Sequence, residues 1–209
     1  MSIKITTLVE NSVYGKGLQG EHGLSLLVDT GEHRLLFDTG ASDLFIRNAR
    51  ILGIDLKEVD FLVLSHGHRD HTGGLHHFLA VNDKAQVVCK RELFQSKFKD
   101  ERENGVMQPD ALDGTRFRFV DEVTELCRGV FVFPQLPVTD EEDTHFEHFF
   151  TWAEGRKQAD TFTDELALVL KQGAEVSVLS ACSHRGITNI IRAVQEYFPQ
   201  TSLKLVLMR

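Results

Sequence analysis

Three imidazoles and a carboxylate fall within six residues at His66-Gly67-His68-Arg69-Asp70-His71, directly after the apolar segment Val59–Leu64. Neutral imidazole nitrogen and carboxylate oxygen are good ligands for zinc, iron or manganese, and the run holds no thiolate to narrow that choice. His66 and His68 are two positions apart, so on an extended stretch at a strand end both rings project to one side and can share a metal. Asp70 and His71 follow as the chain turns, where a second metal can sit. Gly73-Gly74 then lets the backbone curl closely before the next helix. A merely solvated polar loop has no reason to fill four of six positions with ligand-type side chains, so the run reads as a metal site.

The neighbouring elements must deliver this run to a defined place. Ile3–Val9, Leu24–Asp29 and His33–Phe37 are short β-rich segments, the last two joined by a hairpin-type turn at Thr30-Gly31. Ser42 is placed to cap an amphipathic helix over Asp43–Leu52, which Gly53 ends. A strand at Val59–Leu64 enters the histidine run; a helix over Leu75–Val81 and a strand at Gln86–Cys89 continue the alternation of an α/β layer structure. Lys97–Asp113 is polar and charged, so it is expected to be an exposed loop or insertion. Arg116–Val120, Val130–Phe133, Leu166–Leu170 and Val176–Ser180 are expected to form a second sheet, followed by a helix over Gly186–Phe198 and a strand at Leu203–Leu207. Periodicity alone therefore gives an α/β fold with two sheets. The 209 residues suit a single domain, 1–209, of a size that buries roughly 70% of its unfolded surface.

Composition narrows the partners. The net charge is −8, with acidic residues spread along the chain and no Lys/Arg cluster, so no nucleic-acid partner is expected and a small-molecule substrate is. Cys89, Cys127 and Cys182 are odd in number, far apart and without a Cys-x-x-Cys pair. That argues against a disulfide framework and a thiolate zinc knuckle, and fits a reducing, cytoplasmic location. Met1-Ser2-Ile3-Lys4-Ile5 passes directly into a strand-like segment without signal-peptide features. No apolar stretch approaches the roughly 20 residues of a membrane span, so no membrane partner is expected.

The motifs taken in order resemble a known family. Asn11, Glu21-His22-Gly23-Leu24-Ser25, Leu36-Phe37-Asp38-Thr39-Gly40, the His-x-His-x-Asp-His run and Ala181-Cys182-Ser183-His184-Arg185-Gly186-Ile187 resemble the metallo-β-lactamase superfamily. Within it they resemble the metal-dependent hydrolases related to the dihydropterin ribofuranosylaminobenzene phosphate synthase of methanopterin biosynthesis. The resemblance implies an αββα sandwich, with two facing mixed sheets, helices outside and the metal site at one edge. It implies two divalent metal ions, with zinc favoured over manganese or iron. His66, His68 and His184 would hold one ion, and Asp70 and His71 would belong to the second. By itself His184 reads as a structural histidine after an apolar strand; its motif makes it a ligand. Asp38 resembles the carboxylate that hydrogen-bonds a ligand imidazole and fixes its tautomer, although Asp-Thr-Gly also suits a tight turn.

The implied reaction is hydrolysis, or a related transfer, in which metal-bound hydroxide oriented by Asp70 attacks an ester or phosphoester-like centre of a small phosphorylated or heterocyclic, pterin-like metabolite. The alternative is a non-catalytic metal- or ligand-binding relative. Glu21 and His22, in a Gly-flanked loop, are candidates for substrate contact at the site mouth. Asp164-Glu165 resembles a family pair at a strand start and reads equally as ordinary strand-end charge. His145, Phe146, His148, Phe149, Phe150 and Trp152 form a stretch suited to a lid over a planar substrate, or to core or oligomer contact. Family members usually continue beyond Leu203–Leu207 to a late histidine. The expectation is therefore a domain lacking its last strand–helix elements, with a second metal site short of ligands and an open sheet edge that pairing into a homo-oligomer would cover.

Overall fold

The computed structural model describes residues 3–106, 114–153 and 155–208. In chain order its first half contains β1 (Lys4–Val9), β2 (Ser25–Asp29), β3 (Arg34–Phe37), α1 (Leu44–Ile51), β4 (Phe61–Val63), α2 (Arg69–Thr72), α3 (Leu75–Val81), β5 (Gln86–Cys89), β6 (Lys97–Lys99) and β7 (Arg102–Glu103). The second half contains β8 (Phe117–Phe119), β9 (Thr124–Cys127), β10 (Val130–Phe133), β11 (Phe149–Ala153), β12 (Arg156–Ala159), β13 (Ala167–Gln172), β14 (Glu175–Leu179), α4 (Ile187–Tyr197) and β15 (Ser202–Leu207).

These elements build two mixed sheets, ordered β1-β2-β3-β4-β5-β8 and β15-β14-β13-β10-β9. Three apolar clusters show how they are layered. Leu26, Val28, Leu35, Phe37 and Val63 of the first sheet pack against Val130, Val132, Leu168 and Leu170 of the second. On the outer face of the first sheet, Leu36, Leu62 and Val87 meet Phe45 and Ala49 of α1 and Phe78 of α3. On the outer face of the second, Val169, Val176 and Val178 meet Ile190 and Val194 of α4. The order is helix, sheet, sheet, helix, the αββα sandwich the motifs imply. Strand β13 has no apolar–polar alternation: Ala167, Leu168, Val169 and Leu170 are all buried, because a strand covered on both faces has no polar side to display.

Two expectations are corrected. Phe117–Phe119 belongs to the first sheet, pairing parallel to β5 through Val87↔Phe117 and Cys89↔Phe119. Its two phenylalanines join the outer cluster beside α1 and α3, and a parallel partner reached over a long crossover leaves no local signature of its sheet. The stretch beginning at Lys97 is exposed over 99–103 as expected, but its described part forms strands rather than a loop. Strands β6 and β7 pair with each other and, through β6, with β11 and β12 in a third sheet ordered β12-β11-β6-β7; 107–113 lie outside the described residues. The reason is Lys97 itself, whose fully buried ammonium donates to Asp160 Oδ2 at 2.8 Å and to Asp164 Oδ1 at 2.7 Å. A lysine read as a surface charge is the pin that fastens the small sheet to the sandwich.

Removing one partner of a buried ionic group leaves the others uncompensated, at a cost of about 3–5 kcal/mol. Lys97→Met is therefore expected to lower the unfolding free energy by about that amount in a urea titration. A loss under about 1 kcal/mol, the range of an exposed pair, would contradict the buried triad.

Candidate metal centre

The site forms where the ends of β3 and β4 meet the loop after β14. Leu64 N donates to Val88 O at 3.0 Å, so the chain stays extended through Ser65 and His66 before α2 begins at Arg69. Gly67 makes this close passage: a Cβ there would collide with the carbonyl oxygen of Leu93. His66, His68, His71 and His184 are all buried. Ring centroids are 4.7 Å apart for His66 and His68, 5.1 Å for His66 and His184, and 5.0 Å for His68 and His184. One ligand atom from each of these three residues lies within 4.8 Å of the others, and His66, His71 and Cys182 form a second such group.

Asp38 organises this cluster. It is wholly buried in the left-handed region, with φ 60°, where Asp is better tolerated than most side chains. Its Oδ1 accepts from Ser65 N at 2.8 Å, and its Oδ2 accepts from Ser65 Oγ and His71 Nδ1, each at 2.7 Å. Ser65 Oγ also lies 2.9 Å from His66 Nδ1. A hydroxyl has one proton, and Ser65 gives it to the carboxylate, so His66 Nδ1 must be the donor to Ser65. One carboxylate thus sets His71 directly and His66 through a hydroxyl, leaving each Nε2 turned to the cluster. His184 Nδ1 donates to His145 O at 3.0 Å with the same effect.

The consequence is a set of stranded lone pairs. His66, His68 and His184 each bury an Nε2 with no hydrogen-bond partner, at a cost of about 1–3 kcal/mol for each unsatisfied group. Burial, followed by the mutual influence of the neighbouring imidazoles, holds the pKa of His66 and His68 well below the usual histidine value. Burial is also the main cause at His184, which is lowered to about 4. All three rings are therefore neutral at pH 7, as metal ligands must be. His71 differs: burial opposes its charge, but the carboxylate of Asp38, aided by Asp70 and Cys182, outweighs burial and raises it well above the ordinary value.

Two acidic neighbours brace the loops. Asp164 Oδ2 accepts from Gly67 N at 2.7 Å, between the first two histidines. Glu165 Oε1 and Oε2 accept from His184 N and Arg185 N, each at 2.8 Å. Burial, only partly offset by those amides, raises the Glu165 carboxyl to about 7. Consecutive residues thus fasten the ligand loops of both sheets, and Lys97 locks Asp164 in turn. Phe162 stacks on His184 at 3.8 Å with an 11° interplanar angle, and Phe149 lies against His68 at 4.8 Å.

The cluster opens into a cavity of about 750 Å3 whose lining includes His22, His68, Asp70, Phe149, Cys182 and His184. Asp70 Oδ2 lies 3.3 Å from His71 Nε2 and 3.4 Å from His22 Nε2, and Cys182 Sγ lies 3.2 Å from His71 Nε2. The sequence-derived set His66, His68, Asp70, His71 and His184 is brought together, with His22 at its mouth. Glu21 is not at the mouth as a substrate contact. Its carboxylate accepts from Ala41 N, Ser42 N and Ser42 Oγ at 3.0, 3.1 and 2.6 Å, holding the turn after Asp38. Of the aromatic stretch, Phe149 reaches the cavity, while His148 pairs with Asp100 and Trp152 is 53% exposed.

The profile of the Metallo-beta-lactamase superfamily matches residues 18–164. The chain belongs to the metallo-β-lactamase superfamily. Its fold is similar to that of Tm1679, a metal-dependent hydrolase of the beta-lactamase superfamily, with a TM-score of 0.83, 33% identity and coverage of 99% of this chain and 76% of that one. It is 29% identical over 211 residues to the 7,8-dihydropterin-6-methyl-4-(beta-D-ribofuranosyl)-aminobenzene-5'-phosphate synthase of Methanocaldococcus jannaschii, covering 91% of this chain and 71% of the synthase. A quorum-quenching N-acyl homoserine lactone lactonase shares the fold alone, at TM-score 0.53 and 14% identity over 88% of this chain and 79% of that one.

Within this superfamily member, sequence reasoning missed Cys182, passed over as an isolated thiol, and undervalued Asp164-Glu165. Cys182 carried a signal, since it stands two residues before His184 in the same motif. Asp164-Glu165 had none beyond its resemblance, because its partners, backbone amides and the Lys97 ammonium, are distant in sequence.

Asp38→Asn keeps a residue that tolerates the left-handed backbone but removes the charge that orders Ser65 and His71. Metal affinity, measured by competition with a chromophoric chelator, is expected to fall about 10–100-fold. Unchanged affinity in a folded variant would contradict the role given to Asp38.

Proposed function

We propose that this chain is a metal-dependent hydrolase, or a transferase built on the same site, acting on a small phosphorylated or heterocyclic, pterin-like metabolite. The observation that best supports it is the trio of buried, partnerless Nε2 atoms on His66, His68 and His184 beside a cavity of about 750 Å3. A divalent metal fits that trio, because all three rings are neutral and those of His66 and His184, with Nδ1 already engaged, present a lone pair on Nε2. A second ion would have His71, once its extra proton is displaced, with Asp70 and Cys182 close to it, and a sulfur donor tilts that position toward zinc. When bound, such ions polarise a phosphoryl or carbonyl oxygen and make water acidic enough to act as a nucleophile near neutral pH.

The protein's own residues supply position and proton handling. Asp70 is 14% exposed on the cavity wall, where its carboxylate can orient an attacking nucleophile and accept its proton. His22 caps the same carboxylate from the solvent side. Phe149 and Phe162 close one flank around His68 and His184, which keeps bulk water off the imidazoles and offers an aromatic face to a planar substrate. The relatives' names lie in the same direction, one as a metal-dependent hydrolase and the other as a synthase whose name contains a dihydropterin and a 5'-phosphate.

Elemental analysis of untagged protein, paired with a screen of phosphodiester, phosphomonoester, thioester and lactone probes, tests this reading. About one or more equivalents of metal per chain are expected, with metal-dependent turnover of at least one probe class. In His66→Ala both metal content and turnover are expected to collapse. Metal uptake without turnover of any class would make the chain a binding relative, and full activity in His66→Ala would sink the site assignment.

A further inference from the structure

The small sheet carries a feature that its own stability does not explain. Lys99 of β6 stands directly opposite Arg102 of β7, and like charges in that position repel. Among the described residues neither side chain has a carboxylate partner. The nearby acids are used elsewhere: Asp100 pairs with His148 at 3.0 Å, and Glu101 pairs with Lys157 at 3.0 Å. On the other side of β6, Lys99 stands opposite Phe149, its ammonium 5.6 Å from that ring's centroid. Phe149, Lys99 and Arg102 therefore form a row across three strands, and all three line the cavity that holds the imidazole cluster.

A third cation joins them from the other wall. Arg69 lies between His68 and Asp70 and lines the same cavity. Its backbone N–H donates to Asn104 O at 3.0 Å, which ties the metal loop to the segment leaving β7. Its guanidinium also has no carboxylate partner among the described residues. In a chain of net charge −8, three cations without acidic partners among the described residues converge on one cavity whose described carboxylates are Asp70, beside His71, and Glu103, which is opposite Phe98 in the β6–β7 ladder. Local repulsion retained beside a functional site is the kind of conflict that a ligand resolves.

We infer that Arg69, Lys99 and Arg102 form a subsite for a dianionic phosphate monoester, a recognition group on the substrate distinct from the bond that reacts at the imidazole cluster. Directly opposed strand residues have Cβ atoms about 4.5–5.5 Å apart, so the heads of Lys99 and Arg102 reach a single phosphate together, and its charge cancels their repulsion. A monocarboxylate satisfies one guanidinium; three cations from two walls match a group with three acceptor oxygens and a double charge. The ring of Phe149 lies between the cation row and His68, so a substrate anchored by phosphate lays its next portion against that ring on the way to the metal cluster. This assignment rests on the hydrolase reading for the location of the reacting bond, but the anion subsite itself does not need a metal.

Isothermal titration calorimetry with inorganic phosphate and phenyl phosphate, at low ionic strength and on metal-loaded and chelator-treated protein, tests it. Both probes are expected to bind both forms. Lys99→Ala and Arg102→Ala are each expected to weaken binding about tenfold, the double variant to abolish it, and Arg50→Ala, a surface cation on α1, to leave it unchanged. Refusal of phenyl phosphate, wild-type affinity in the double variant, or an equal loss in Arg50→Ala would overturn the subsite. Metal content, read on the same samples, separates the two claims. A chain that binds phosphate through Lys99 and Arg102 but takes up no metal would defeat the hydrolase reading and leave the subsite standing.

Discussion

The buried carboxylate of Asp38 is the interaction on which this site depends. It sits at the end of β3, accepts both donors of Ser65 at the end of β4, and accepts Nδ1 of His71 in α2. Thr39 then holds the His71 carbonyl through N–H and hydroxyl at 2.8 and 2.9 Å. A charge in that position would be costly without donors, and its donors are the groups that need orienting. The requirement to satisfy one buried anion therefore orients two imidazoles, leaving Nε2 of His66 bare and turning Nε2 of His71 toward Asp70 and Cys182.

The second half of the site comes from the other sheet and is held by the same kind of bond. Asp164 and Glu165 follow one another just before β13, yet one grips the loop after β4 and the other grips the loop after β14. The inter-sheet core, with Phe37 and Val63 facing Leu168 and Leu179, supplies coarse registration between the two halves. The acidic pair supplies the fine registration at the edge where the ligands meet. Lys97 extends that brace into the small sheet, so the wall carrying Lys99 and Arg102 is rigidly related to the imidazoles.

Much of this was legible from residue types. The His-x-His-x-Asp-His spacing, the apolar strand before it and the His184 motif located the cluster, and helix α3 falls at Leu75–Val81 as its apolar spacing predicts. What stayed hidden shares one physical cause: its partners are distant in sequence. Phe117–Phe119 has no local mark of the sheet it joins. Lys97 looks like a surface charge until Asp160 and Asp164 arrive more than sixty residues later. Glu21 looks like a mouth residue until the amides after Asp38 close on it. Cys182 looks isolated until β14 delivers it to His71.

The central claim is that the fold itself presents imidazole lone pairs to a shared point before any metal arrives. Long-range proton–nitrogen correlation of the histidine rings in chelator-treated protein at pH 7 tests it most directly. The account predicts that His66 and His184 are neutral and carry their proton on Nδ1, as their bonds to Ser65 and to the His145 carbonyl require. Rings protonated on Nε2, or exchanging freely between tautomers, would contradict it and make the cluster a consequence of metal binding rather than its cause.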